Sequence, residues 1–176
     1  MARRRARLNL FDKIILGIIA FALVIVVVGG IVVGIQSSIQ ASEDAAYTKI
    51  MAPALENVKA SQVAGDKAVS FMKDTETYTK TYVPEEFATD DPEEVRYVVT
   101  VENGSAAVGR YGNGGIGLQR YYKVEIKDLK TGAVIETNTF YGGQPPQSVK
   151  SGGNHYGSYP SDSKVVQWVA DVLAAQ

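Results

Sequence analysis

Two serine–lysine pairs offer the first candidate chemistry. Ser70-Phe71-Met72-Lys73 and Ser161-Asp162-Ser163-Lys164 each place a lysine three residues after a serine. On a helix that spacing sets the amine one turn from the hydroxyl, where it can take the proton of a nucleophile. Lys130-Thr131-Gly132 adds a Lys-Thr-Gly run. Gly112-Asn113-Gly114-Gly115-Ile116-Gly117 satisfies the spacing by which glycines let a chain turn beneath a pyrophosphate. His155 is the only histidine, so a site with several histidine ligands is excluded. No cysteine is present, which removes disulfides, thiol catalysis and cysteine-held metals.

Each motif has a plainer reading in its surroundings. The two Ser-x-x-Lys runs and Lys-Thr-Gly together resemble the motif set of penicillin-binding proteins and serine β-lactamases. That resemblance implies an extracytoplasmic acyl-transfer site with the serine at a helix N-terminus. Eleven serines and eleven lysines in 176 residues make the spacing common by chance, and Lys130-Thr131-Gly132 reads as a turn. The glycine run leads into a strand pattern, not the helix a nucleotide site needs. His155 has no Gly-x-Ser-x-Gly elbow to serve and reads as a polar contact. Glu85, Glu86, Asp90, Asp91, Glu93 and Glu94 lack the alternating spacing and fixed glycine of a calcium loop. No metal and no cofactor is expected, and no catalytic residue is assigned. Asn103-Gly104-Ser105 is a glycosylation sequon and also reads as a turn.

Residues 141–160, YGGQPPQSVKSGGNHYGSYP, hold the candidate binding site. A loop this long is uncommon unless it is functional. Tyrosine among Gly, Ser and Asn is the composition of adaptable recognition surfaces, with rigid rings for contact area and small residues for shape. Tyr141, His155, Tyr156 and Tyr159 are the residues assigned to it.

The elements that must position this loop form one α+β domain. Tyr47, Ile50, Met51, Ala54, Leu55 and Val58 recur at helical spacing, and a helix is expected across 43–73, broken near Ala64-Gly65-Asp66 with Asp66 capping a last short piece to Lys73. Strands are expected at 75–83, 95–102, 119–127 and 133–141. Val95, Tyr97, Val99 and Val101 share one face of the second. Asn103-Gly104 and Asp128-Leu129-Lys130-Thr131-Gly132 supply turns. Ser161 caps a final helix with an apolar stripe of Val165, Trp168, Val169, Val172 and Leu173. The expected architecture is an antiparallel sheet of 3–5 strands, one face of which packs an N-terminal and a C-terminal helix.

A membrane segment precedes this domain. Residues 14–35 are 22 consecutive apolar residues or glycines. At a rise of about 1.5 Å per residue they reach across a hydrocarbon core of about 30 Å. Net charge over the whole chain is −1, but it divides sharply. Arg3, Arg4, Arg5, Arg7 and Lys13 face only Asp12 before the span, a net of +4; the remainder carries 13 basic and 18 acidic side chains, a net of −5. The positive-inside tendency puts the arginines in the cytoplasm, beside anionic headgroups, and the domain outside the plasma membrane. Gly30 and Gly34 have the four-residue spacing that lets two spans approach, and a homodimer form.

The expected organisation is a basic tail at 1–13, a signal-anchor helix at 14–36, a stalk at 37–46 and an extracytoplasmic domain at 47–176. The function expected is that of a single-pass, anchored binding or scaffold protein recognising an envelope or membrane-complex partner. Two alternatives are an accessory subunit held by its span and a cell-wall glycan binder or serine enzyme. Nucleic acid is not an expected partner, because an acidic domain repels phosphate.

Overall fold

The computed structural model describes residues 37–56, 58–59 and 63–176. The expected span at 14–36, with Gly30 and Gly34, and the tail with Arg3, Arg4, Arg5 and Arg7 lie outside the described residues. Among the described residues no helix is long and apolar enough to cross a membrane. The chain divides into two compact units, Met1–Glu43 and Asp44–Gln176, and the second holds the whole sheet.

The order is a helix at 37–56 (α1), β1 (Lys67–Met72), β2 (Thr77–Thr79), a 3-10 turn (Pro92–Glu94), β3 (Val95–Arg110), β4 (Ile116–Asp128), β5 (Val134–Tyr141), β6 (Asn154–Tyr156) and α2 (Asp162–Ala174). The stretch expected as a stalk is part of α1, which runs on through Pro53. The class is α+β, as expected. The sheet is mixed, not antiparallel, and has six strands. Its order is β2-β1-β3-β4-β5, with β1 parallel to β3, and β6 running parallel to β4 at Ile116–Leu118.

The first parallel pair arises where a short helix is expected. Lys67–Met72 is a strand, and three consecutive residues, Ala68, Val69 and Ser70, are buried. A strand covered on both faces loses the polar–apolar alternation that identifies strands in sequence. Ser70 is polar there because its Oγ donates to the Thr79 carbonyl at 2.6 Å across the hairpin. The expected strand at 75–83 shrinks to three residues, since Val83 N–H turns back to the Lys80 carbonyl.

The two helices cover opposite faces, which corrects the expectation of a single helix-covered face. Val165, Val169, Val172 and Leu173 of α2 pack with Ala68, Tyr97, Val99, Val101, Tyr122, Val124 and Ile126. Tyr47, Met51 and Leu55 of α1 pack with Val69, Val95 and Val98. Neighbouring strand residues point to opposite sides, so Ala68 and Val69, or Val98 and Val99, serve different cores. Each fully buried Val, Leu or Ile contributes about 1.5–3 kcal/mol. Val95 does not share a face with Tyr97. Lys67 pairs with Val95 but Ala68 pairs with Tyr97, so Arg96 is an extra residue in β3. Such a bulge flips the residue before it to the other side.

The β3–β4 ribbon joins the two longest strands among the described residues, at 16 and 13 residues. It runs straight through Asn103-Gly104, the dipeptide expected to turn. Asn103 and Gly104 pair with Tyr122 and Tyr121. Gly104 is small for a steric reason: a Cβ there would enter the Tyr121 ring. The ribbon turns instead at Tyr111–Gly115, where Tyr111 N–H bonds the Gly115 carbonyl at 2.9 Å and Gly114 takes a φ of 85°.

Candidate functional site

Beyond Asn103 no residue of β3 belongs to either buried core. Its β4 side is paired with β5 only from Tyr121 to Lys127. The segment after β5 then supplies the missing partners. Gly142 N–H donates to the Arg120 carbonyl at 2.8 Å, Gly157 N–H to Leu118 at 2.9 Å, and β6 pairs with Ile116–Leu118. Gln119 Nε2 returns a bond to the Gly142 carbonyl at 2.8 Å. Residues 142–143 and 157–158 cross so closely that a Cβ on Gly142 would meet the Ser158 carbonyl, and one on Gly157 the Gly143 carbonyl. The glycines of this loop therefore permit close backbone approach, and the loop is bonded down onto the sheet edge.

The four residues assigned from sequence divide between the two sheet faces. Tyr156 pairs with Leu118, on the row that continues through Arg120, Tyr122, Val124 and Ile126 toward α2. Tyr159 stacks on Tyr122, with ring centroids 6.0 Å apart and planes at 26°. The Arg120 guanidinium lies 5.0 Å from the Tyr156 ring centroid and 4.0 Å from that of Tyr159. Both rings remain open to solvent, at 44% and 53% exposure. Tyr156, Tyr159 and Arg120 thus form one surface.

Tyr141 and His155 lie on the reverse face. Tyr141 pairs with Tyr121, ring centroids 6.0 Å apart. His155 pairs with Gly117, places its ring edge-on to Tyr111 at 5.5 Å and sets Nε2 3.0 Å from the Ser151 carbonyl. Asn113 secures the same stretch by donating to the Val149 and Ser151 carbonyls. His155 is therefore part of the clasp that holds the loop to the ribbon tip.

Arg120 is not among the residues assigned from sequence, yet a signal is present there. Counting back by two from Ile126, Val124 and Tyr122 lands on Arg120, a charged residue on a core-facing row. Beneath it, Tyr82 sits edge-on to Tyr122 at 5.7 Å. Burial holds the Tyr82 phenol well above its ordinary value, with the Tyr122 hydroxyl and the Asp162 carboxylate acting the same way. Both rings stay neutral and serve as a floor. A cleft of about 490 Å³ opens between Tyr159 and the end of β5, lined also by Phe140, Tyr141, Gly143, Pro160, Ser161 and Lys164, so Tyr141 reaches it from the sheet edge.

No family model, curated protein or solved structure matches this chain.

The fold parts Ser70 from Lys73 but keeps Ser161 and Lys164 one turn apart at the start of α2, where the Lys164 N–H bonds the Ser161 carbonyl at 3.1 Å and both residues line the cleft beside Tyr159. Ser70 is buried on β1 and donates to Thr79, and Lys73 pairs with Glu102 at 2.7 Å. Three residues apart on a strand, the two side chains point to opposite faces. Ser161 stands in the N-cap position of α2 but makes no side-chain cap bond; its Oγ meets Ser163 Oγ at 2.6 Å. Lys130-Thr131-Gly132 is a turn, with Gly132 at a φ of 73°. Among the described residues no three metal-ligating side chains gather. In the acidic segment, Glu94 accepts from Thr89, Asp90 pairs with Lys80, and Asp91 caps the 3-10 turn.

Proposed function

We propose that this chain is a single-pass membrane protein whose extracytoplasmic α+β domain binds an envelope protein or a subunit of a membrane complex. The observation that carries the reading is the tethered Gly/Tyr loop, which presents Tyr156 and Tyr159 exposed beside Arg120. Tyr and Arg are among the residues most enriched where binding energy concentrates. Rigid rings lose little entropy when a partner covers them, and a loop already bonded in place loses less still. The anchor is supported by the 22-residue apolar run and its flanking charges.

Photo-crosslinking in native membranes tests the proposal, with a probe at Ser158. Cross-links to a discrete partner that disappear in Tyr156→Ala/Tyr159→Ala are expected. Cross-links untouched by that double variant, but lost when residues 14–36 are exchanged for an unrelated span, would show a subunit held by its helix. A second reading, a cell-wall glycan binder, is favoured by Tyr141, 61% exposed on the reverse face beside Tyr121. Sedimentation with peptidoglycan that depends on Tyr141 and not on Tyr156 or Tyr159 would select it.

A further inference from the structure

Two arginines of the sheet are used in opposite ways. Arg96 directs Nε and Nη2 at the Asp128 carboxylate, at 3.4 and 3.0 Å. Arg120 lies over two tyrosine rings and, among the described residues, its guanidinium makes no hydrogen bond or ion pair. A guanidinium carries five N–H donors in its plane. Contact with the two rings places the group, and none of those donors is bonded among the described residues. A planar fork, fixed and partly desolvated, is the shape that takes a carboxylate through two parallel bonds.

A second cation lies along the same wall. Tyr159 carries Arg120 and also lines the cleft that Lys164 borders, and Lys164 has no ion pair among the described residues. From these observations we infer that Arg120, flanked by Tyr156 and Tyr159, binds a carboxylate of an acidic peptide segment on the partner, and that Lys164 receives a second acid. This deepens the binding role proposed above and rests on it. The ligand is a peptide and not a phosphate polymer or an anionic lipid surface because the chain after residue 13 has a net charge of −5. That field opposes a polyanion at every approach, while one or two acids on an otherwise neutral segment meet only the local cations.

The test uses the full chain in neutral detergent micelles, labelled with 15N. The Arg120 Nε–Hε signal is followed during titration with acetyl-Glu-Gly-Glu-amide, with acetyl-Gln-Gly-Gln-amide and with inorganic phosphate. The Glu peptide should shift the signal saturably, with a dissociation constant on the order of 1 mM. The Gln peptide should bind at least about tenfold more weakly, as should the Glu peptide to Arg120→Lys, read from the Tyr156 and Tyr159 signals, because an ammonium lacks the fork. No saturation by about 20 mM, equal response to the Gln peptide, or saturation by phosphate at lower concentration than the Glu peptide would each overturn the inference. An unchanged unfolding midpoint for Arg120→Gln and Arg120→Lys excludes misfolding as the cause of a loss. Cross-links that need Tyr156 and Tyr159 but survive Arg120→Gln would overturn the carboxylate and leave the loop surface; cross-links indifferent to all three would overturn both.

Discussion

The inner and outer halves of the β3–β4 ribbon share one hydrogen-bond ladder but are built for different ends. In the inner half Val99, Val101, Val124 and Ile126 are fully buried between strands and α2. In the outer half Asn103, Ser105, Ala107 and Val108 are exposed, and a tethered loop takes the place of β5 beside β4. Both halves keep their backbone groups bonded across the ribbon, so pairing alone does not distinguish them. What differs is how much apolar surface each removes from water, and so how much each contributes to the stability of the whole. The outer half is free to carry side chains chosen for contact, because the fold does not depend on them.

The largest effect should come from the inner half. Ile126→Ala deletes three carbons from a site with no room to collapse, at a cost of about 3 kcal/mol. Val108→Ala, on the same ribbon and 46% exposed, should cost less than about 0.5 kcal/mol. Denaturant unfolding followed by Trp168, which packs edge-on to Phe140 at 5.7 Å, measures both. Equal losses would remove the distinction between the halves.

A smaller effect is expected at Asp128, where the inner half ends. Its side chain is 6% exposed and bonded to Arg96 at 3.0 Å and to the Lys130 N–H at 2.7 Å. Burial acts to raise its pKa, but the Arg96 bond, the backbone donors and the Arg96 charge outweigh it, and the net shift is downward. A carboxyl depressed in the folded state contributes stability above its unfolded value and loses it as pH falls through the folded one. Asp128→Asn should therefore cost about 2 kcal/mol at pH 7, with the gap to the parent chain closing below about pH 4. A gap that persists at pH 2 would mean that shape, not charge, is what Asp128 supplies.

The same division explains what can be read from the sequence. The β4–β5 hairpin is legible because Tyr122, Val124 and Ile126 alternate with polar residues and Asp128–Gly132 can only turn. Helix α2 is legible from Val165, Val169 and Val172 at helical spacing. Strand β1 is not, because Ala68, Val69 and Ser70 are buried on both sides and leave no period of two. The face of Val95 is not, because the bulge at Arg96 exists only once β1 is its neighbour. At the surface the loop is legible by composition, but strand parity separates Tyr156 from His155, and that parity requires knowing that β6 forms. Arg120 is passed over because a charged residue at the end of a strand reads as solvated, although the row of Tyr122, Val124 and Ile126 runs through it.

The smallest global effect belongs to the outer half, and it should be a local one. Gly157 donates to the Leu118 carbonyl at 2.9 Å, and a Cβ there would enter the Gly143 carbonyl. Gly157→Ala must push the two crossing segments apart. Because no core side chain rides on that crossing, global stability should fall by no more than about 1 kcal/mol. Amide exchange at Gly142 and Gly157 should instead quicken at least about tenfold, while Val99, Val101 and Val124 keep the protection of global unfolding. Tyr156 and Tyr159 would then lose their fixed position over Arg120, although neither has been altered. If exchange quickened in both halves together, the ribbon would be one cooperative unit, and the loop would be part of the fold's foundation instead of a surface laid upon it.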